Sequence, residues 1–395
     1  MANRRRTFTE VGEVEVDPAR ALVHEEGWQS WSPTTAYRLD QLPWRGTDPA
    51  FFAMSYKDPD GLSPALTGEG LLAVDPGTGG PVRTWAAADP TVEVPQIRAE
   101  PRGDTTLVIS ADGAVVAGEH PGGLPAALGA WADGVAADLR TDPIRPAPTI
   151  WCSWYHYFTE VTEADVIENL DAMDRLGLPV DVVQLDDGYQ SELGDWLTLS
   201  DRFASLEGLV ARVADRGRRA GLWVAPFLVG ARSKVAREHP EWLIGGADPD
   251  GPPTSAGHNW GQELYGLDTT HPGAAGWLTE VFGTFARQGF DFFKIDFIYG
   301  AALAGRRHDD VPGVVAYRLG VRLIREAIGD AYLLGCGAPI LPSVGLVDAM
   351  RVSPDVALHY EPQGGDLSQP GQRSAVLNGV GRAYQHGRFW VNDPD

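Results

Sequence analysis

Over roughly the first 145 residues, apolar and polar positions alternate in short runs. Glu13–Val16, Thr91–Val94 and Thr106–Ser110 sit between Gly, Pro and Asp turns, the period-two pattern of half-buried strands. A stretch at helical spacing, Leu124–Leu139, follows. From about residue 148 the pattern changes. Short apolar runs now alternate with helical stripes. The runs are Ile150–Trp154, Val180–Leu185, Leu222–Phe227, Phe292–Ile295, Tyr332–Gly335, Ala349–Val352 and Phe389–Val391. Thr162 is placed to cap a helix, with Glu163 and Asp165 in its first turn, where negative charge suits the helix dipole. Val166, Ile167, Leu170 and Met173 then recur at helical spacing, as do Leu206, Leu209, Val210 and Val213, and later Trp277, Leu278, Val281, Phe282 and Phe285.

Strand followed by helix, repeated, predicts an α/β fold with a parallel sheet. Polar residues stand just past the ends of several runs: Asp186 and Asp187, Asp296, Cys336, Ser353 to Asp355, and Asn392 to Asp395. A barrel gathers such strand ends at one mouth, so the expectation is a (β/α)8-type barrel over 148–395. A β-rich, sandwich-like domain over 1–122 and a helical linker over 123–147 precede it. Seven strands are read, and the chain stops at the seventh. The barrel is therefore expected to be C-terminally truncated, lacking its last strand and helix, with open strand edges. Phe293 comes 70 residues after Trp223, whereas Val183 comes only 32 after Trp151. The longer connection carries Pro252, Pro253, His258, Trp260 and Tyr265, and a loop of that size is expected to shape a binding site.

Composition narrows the function. The 395 residues are 43% hydrophobic, enough for a large core, and the formal net charge is −22. Nucleic acid and anionic membrane demand a basic partner surface, so neither is expected. Two cysteines, Cys152 and Cys336, lie far apart, which argues against a disulfide framework or a structural zinc site. The N-terminus has basic residues but no apolar segment of the signal-peptide kind, and no run of 18 apolar residues exists. Cytoplasmic location is the expectation.

The chemistry lies in carboxylates at strand ends. Asp296 ends Phe292-Phe293-Lys294-Ile295, where a buried charge needs a partner or a task. Alternation puts Lys294 and Asp296 on one side of the strand, so Lys294 can hold Asp296 ionised as a nucleophile. A structural ion pair would leave the same pattern. Asp355 follows 59 residues later, two strands on. Two carboxyls facing each other about 5–5.5 Å apart would suit a retaining glycosidase, although an Asp after Pro354 also suits a plain turn. Asp186 and Asp187 could bind a metal or accept hydrogen bonds from sugar hydroxyls. His156, His258, His359 and His386 are scattered, so no metal is expected. Trp151, Trp154, Tyr155, Tyr157, Tyr189, Trp196, Trp223, Trp260 and Tyr299 crowd these ends and could stack on sugars or fill the core.

Together the motifs TIWCSWYHYF, VVQLDDGYQ, GLWVAPF, FFKIDFIYG, GCGAP, DAMRVSPDV and FWVNDPD, in this order over 150–395, resemble glycoside hydrolase family 36, the α-galactosidases, related to family 27. GWQSWSP at 27–33 resembles the aromatic loop of that family's N-terminal domain. The resemblance implies a retaining α-galactosidase acting on terminal α-linked galactose of oligosaccharides. Asp296 would be the nucleophile and Asp355 the general acid and base. Asp186 and Asp187 would bind the 4- and 6-hydroxyls, and Lys294 and Arg351 their neighbours. Trp223, Cys336 and Trp154 would line the sugar site, closed by Trp28 and Trp31. No cofactor is implied, and a homo-oligomer is possible by analogy. Tyr189 stands where the family more often has Trp, and Gly335-Cys336-Gly337-Ala338-Pro339 departs from the Gly-rich form.

Rival readings are a raffinose-synthase-like galactosyltransferase, an α-N-acetylgalactosaminidase, and an inactive fragment or sugar-binding module. Metal-dependent hydrolysis through the Asp pairs is a further one, which insensitivity to EDTA would exclude.

Overall fold

Thr106 to Ala111 show why the N-terminal region is β-structure. Leu107, Ile109 and Ala111 are buried while Thr106, Val108 and Ser110 are only partly covered, so one face meets a core and the other water. A computed structural model describes residues 7–46, 48–57, 63–140 and 142–395. The basic start of the chain, residues 1–6, and Thr141 of the expected linker lie outside the described residues. The chain forms two compact units, Met1–Arg145 with Gly337–Gly345 and Met350–Asp395, and Pro146–Cys336 with Leu346–Ala349.

The first unit begins with strands β1 (Thr9–Glu15), β2 (Leu22–Glu25), β3 (Thr35–Arg38), β4 (Leu66–Glu69), β5 (Leu71–Asp75), β6 (Val82–Ala87), β7 (Gln96–Pro101), β8 (Thr106–Ala111) and β9 (Val115–His120), with the short helix α1 (Phe52–Ser55) between β3 and β4. They make two antiparallel sheets, in the orders β1-β8-β7-β4 and β3-β2-β5-β6-β9. Val14, Ile97, Leu107 and Ile109 of the first sheet share one apolar cluster with Val23, Leu72, Val74 and Trp85 of the second. Helix α2 (Leu124–Leu139) follows. Thr91–Val94, expected as a strand, is not one. Asp89 Oδ1 accepts the Thr91 N–H at 2.9 Å and its hydroxyl at 2.6 Å, and this local turn takes the backbone that a strand would need.

In the second unit, parallel strands appear in chain order: β10 (Ile150–Cys152), β11 (Val182–Leu185), β12 (Arg219–Val224), β16 (Phe292–Ile295) and β17 (Tyr332–Gly335). β11, β16 and β17 are buried along their whole length, as strands covered on both faces are. Helices α3 (Trp154–Tyr157) and α4 (Glu163–Leu176) follow β10, and α5 (Leu206–Ala214) follows β11. Thr162 closes a capping box with Asp165 at the start of α4, as its position predicts. The first run stops at Cys152, where Ser153 turns into α3. The third ends at Val224, two residues before Pro226, which has no N–H for a ladder.

The long connection after β12 holds an antiparallel sheet of β13 (Leu228–Gly230), β14 (Ser255–Asn259) and β15 (Gln262–Gly266), with α6 (Lys234–Glu238) between the first two. Helix α7 (Pro272–Arg287) leads into β16, and α8 (Gly313–Ile328) into β17. The chain continues through β18 (Ala349–Arg351), α9 (Gln372–Gly381) and β19 (Val391–Asp393). Helix α8 was open to a sequence reading, since Val314, Tyr317, Val321, Ile324 and Ile328 recur at three and four residues and are buried.

Candidate active site

Register places the second unit's site. Leu185 pairs with Leu222, and Trp223 pairs with Lys294. The residue after β11, Asp186, therefore stands near the level of Trp223 on β12 and Lys294 on β16. The Lys294 ammonium spans that row to lie 3.0 Å from Asp186 Oδ2, with both side chains almost wholly buried. Gln184 Nε2 donates to the same oxygen at 2.7 Å, and the Cys152 thiol lies 3.4 Å from it. Burial pushes the Cys152 thiol up, helped by the Asp186 charge, so it stays protonated and able to donate. Asp186 is thus a buried carboxylate balanced by a buried cation.

Asp187 is held differently. Gln190 Nε2 donates to Oδ1 at 2.6 Å, and the indole Nε1 of Trp260 donates to Oδ2 at 2.8 Å. Burial pushes the Asp187 carboxyl up to about 6, against the pull of those two donors. The adjacent acids therefore differ in environment: one ion-paired, the other facing only neutral donors.

Asp296 follows β16, with its N–H on the Val224 carbonyl at 2.9 Å. Trp223 Nε1 donates to its Oδ2 at 3.0 Å, and the Phe297 N–H donates to Oδ1 at 2.7 Å. Phe297 adopts φ +51, an uncommon conformation for a bulky residue, and it aims that N–H. Trp196 packs edge-on against Trp223 with ring centres 5.9 Å apart. Cys336 follows β17 and is buried, with its N–H on the Ile295 carbonyl at 2.8 Å. Both cysteines are free thiols. Trp154 opens α3, partly exposed, against Phe158.

In the first unit, Arg351 ends β18 and is buried. Its Nη1 lies 2.8 Å from Asp355 Oδ1, its Nε lies 3.3 Å from Asp393 Oδ2, and it pairs with Asp395. Asp355 keeps about a third of its side chain exposed. Trp28 is buried and Trp31 partly so, on a loop whose carbonyls are gathered by one guanidinium. Arg382 donates to the carbonyls of Gln29 at 2.9 Å, Ser30 at 2.7 Å, Ser32 at 3.1 Å and Val352 at 2.8 Å. Its Nε meets Glu26 Oε1 at 2.8 Å, with both side chains fully buried.

The structure brings Asp186, Asp187, Lys294, Trp223 and Asp296 together in the second unit. It adds Gln184, Cys152, Gln190 and Trp260, which the sequence reading did not assign. Gln184 carried a signal, a polar residue inside an apolar strand. Trp260 carried only its place in the long connection and its membership of the aromatic set, and neither pointed to Asp187. Among the described residues, no group of three or more His, Cys, Asp or Glu side chains could hold a metal ion. No helix among them is long and apolar enough to cross a membrane.

Residues 141–332 match the family model Melibiase. A 105-residue stretch is 32% identical to the bifunctional alpha-galactosidase/sucrose kinase AgaSK of Mediterraneibacter gnavus, and a 108-residue stretch is 30% identical to the alpha-galactosidase AgaA of Geobacillus stearothermophilus. Each takes in 25% of this chain, but only 11% and 14% of those longer proteins. The similarity to the alpha-galactosidase TtGalA of Thermus thermophilus runs further. The structure of its p-nitrophenyl alpha-D-galactopyranoside complex aligns over 98% of this chain and 81% of that one, at 30% identity and a TM-score of 0.81. Its stachyose complex aligns over 98% and 85%, at 31% identity and the same TM-score.

Proposed function

The chain belongs to the melibiase family, glycoside hydrolase family 36, and we propose that it is a retaining α-galactosidase acting on terminal α-linked galactose of oligosaccharides. The observation that carries this reading is Asp296 at the end of β16, with one oxygen held by the Trp223 indole and the other by the Phe297 N–H. Two donors of that kind favour the ionised carboxylate that a nucleophile must be. The TtGalA complexes with a galactoside and with stachyose support galactose as the sugar. We extend the parallel strands to a (β/α)8-type barrel, an architecture that the same similarity supports.

Asp296 attacks the anomeric carbon, and the glycosidic oxygen leaves with a proton from Asp355. This forms a galactosyl ester on Asp296. Asp355, now a carboxylate beside the Arg351 guanidinium, takes a proton from water. The resulting hydroxide equivalent attacks the same carbon and frees Asp296, with retention at the anomeric centre. Asp186, Asp187 and Lys294 hold the sugar hydroxyls. Acceptor-only carboxylates next to a cationic donor can read both sides of a hydroxyl, as donor and as acceptor.

The test is release of p-nitrophenol from p-nitrophenyl α-galactoside by the purified chain, beside Asp296→Ala and the matching α-glucoside. Activity on the galactoside alone, abolished in the variant, is expected. Equal turnover of the glucoside would refute the galactose reading, and an active Asp296→Ala would remove the nucleophile assignment.

A further inference from the structure

The tip of the β14–β15 hairpin is built against local preference. Asn259 pairs with Gln262, so Trp260 and Gly261 alone form the turn, with φ +51 and +65. Two positive φ values in a two-residue hairpin loop make a type I′ turn, whose first position favours Asn, Asp or Gly. Trp there is strained, since its Cβ crowds the backbone in the left-handed region. A strained residue persists where the surroundings over-determine it.

The surroundings do so at three points. Arg232 donates to the Trp260 carbonyl from Nη2 and to the Gly261 carbonyl from Nη1, both at 3.2 Å. Its Nε lies 2.6 Å from Glu192 Oε1, while Gln262 Nε2 donates to the other Glu192 oxygen at 2.8 Å. Glu192 lies five residues after Asp187, so the clamp ties the hairpin tip to the segment that carries the acid pair. At the far end of β14, the Tyr299 hydroxyl donates to the Ala256 carbonyl at 2.7 Å. What the strain delivers is the indole. Its N–H reaches Asp187 Oδ2 at 2.8 Å, and its ring centre lies 5.1 Å from that of Phe297. Phe297, like Trp260, is an aromatic at positive φ, and it is the residue whose N–H holds Asp296.

We propose that Trp260 is a positioning residue that sets sugar specificity. Its indole N–H fixes the Asp187 carboxylate for the galactose hydroxyl that this carboxylate takes. The inference rests on the α-galactosidase reading. It assigns the long connection after β12 a task in recognition of galacto-configured sugars, exerted through Asp187.

The experiment compares wild type, Trp260→Phe and Trp260→Asn on three substrates: p-nitrophenyl α-D-galactoside, its 6-deoxy analogue and its 4-deoxy analogue. Phe keeps a ring but loses the donor. Asn suits the left-handed turn, so the hairpin folds, but its side chain is too short to reach Asp187. Both variants are expected to lose about 10- to 100-fold in kcat/KM on the galactoside, mainly through KM, as loss of a hydrogen bond to a charged group predicts. On whichever deoxy substrate lacks the hydroxyl that Asp187 takes, the loss should shrink to below about threefold, because that contact is already gone. A purely structural role would depress all three substrates equally and lower the melting temperature of the Asn variant. That pattern, or variants matching wild type, overturns the inference while the galactosidase reading stands. A wild type inactive on the galactoside overturns both.

Discussion

The Lys294 ammonium and Asp186 Oδ2 lie 3.0 Å apart, a buried ion pair reaching from β16, over β12, to the end of β11. Lys294 is the one lysine in the parallel strands, and the pair ties the acid turn to the strand that bears Asp296. Lys294→Met would leave Asp186 buried without its balancing cation. Such a loss costs about 3–5 kcal/mol. Urea unfolding of the variant should show a loss of that order, accompanied by loss of galactoside turnover. A variant as stable as wild type would mean that the pair adds nothing to the stability of the fold.

Trp223 acts on Asp296 through one hydrogen bond, from Nε1 to Oδ2 at 3.0 Å. Trp223→Phe keeps most of the ring packing against Trp196 and removes the donor. A hydrogen bond to a charged group is worth about 1.5–3 kcal/mol, so kcat/KM should fall about 10- to 100-fold. Steady-state kinetics beside a thermal melt separates this from a loss of fold, since the melting temperature should move little.

Asp187 gives the protein a pH signature. Burial raises its carboxyl to about 6, with Asp186 adding to the rise, and with the Gln190 and Trp260 side chains and the Gly188 N–H opposing it. Its unfolded value is near the ordinary ~3.9. Between those values the folded state binds the extra proton, so this group's contribution to stability falls as pH rises from about 4 to about 6 and is level above. Asp187→Asn should remove that slope from a titration of unfolding free energy. In kinetics, the ionised form is the better hydroxyl acceptor, so kcat/KM should drop as pH falls through about 6. A flat profile between pH 5 and 7 would contradict this, that window bracketing the Asp187 value of about 6.

Arg382 and Glu26 form a second fully buried pair, 2.8 Å apart. Burial pushes Glu26 up, but the Arg382 and His24 charges outweigh it, and the carboxyl is held below its usual range. Arg382→Met should therefore destabilise strongly, by about 3–5 kcal/mol, and free the carbonyls of Gln29, Ser30 and Ser32 around Trp28 and Trp31. Adding Glu26→Gln to that variant should recover part of the loss, because neither member of this ion pair is then left buried without the other. A double-mutant cycle in chemical denaturation measures the coupling. Strict additivity of the two substitutions would show that the pair does not act as a unit.

Local pattern carried much of this protein. Burial on both faces made β11, β16 and β17 predominantly apolar, so hydropathy alone gave runs at Val180–Leu185, Phe292–Ile295 and Tyr332–Gly335, the first starting two residues before the strand itself. A carboxylate at the end of such a run is conspicuous because burying it is costly, which is why Asp186, Asp187 and Asp296 stood out. The Thr162 cap and the Leu124–Leu139 helix are also local, set by side chains within a few residues. Thr91–Val94 is not a strand for an equally local reason, the Asp89 turn, which outcompetes the β preference of Thr91, Val92 and Val94.

What the sequence could not decide is which distant groups satisfy one another. Lys294 stands two residues from Asp296, yet the three-dimensional sheet sends its charge 108 residues back, to Asp186. Trp260 was one aromatic among many until the hairpin folded and put its N–H on Asp187, 73 residues away. Arg382 is separated from Glu26 by 356 residues, and nothing in its neighbours marks it. Periodicity and capping are properties of short segments and survive in a linear reading. Charge pairing and hydrogen-bond satisfaction inside a core depend on positions brought together only when the chain closes on itself, so the tertiary structure alone decided them.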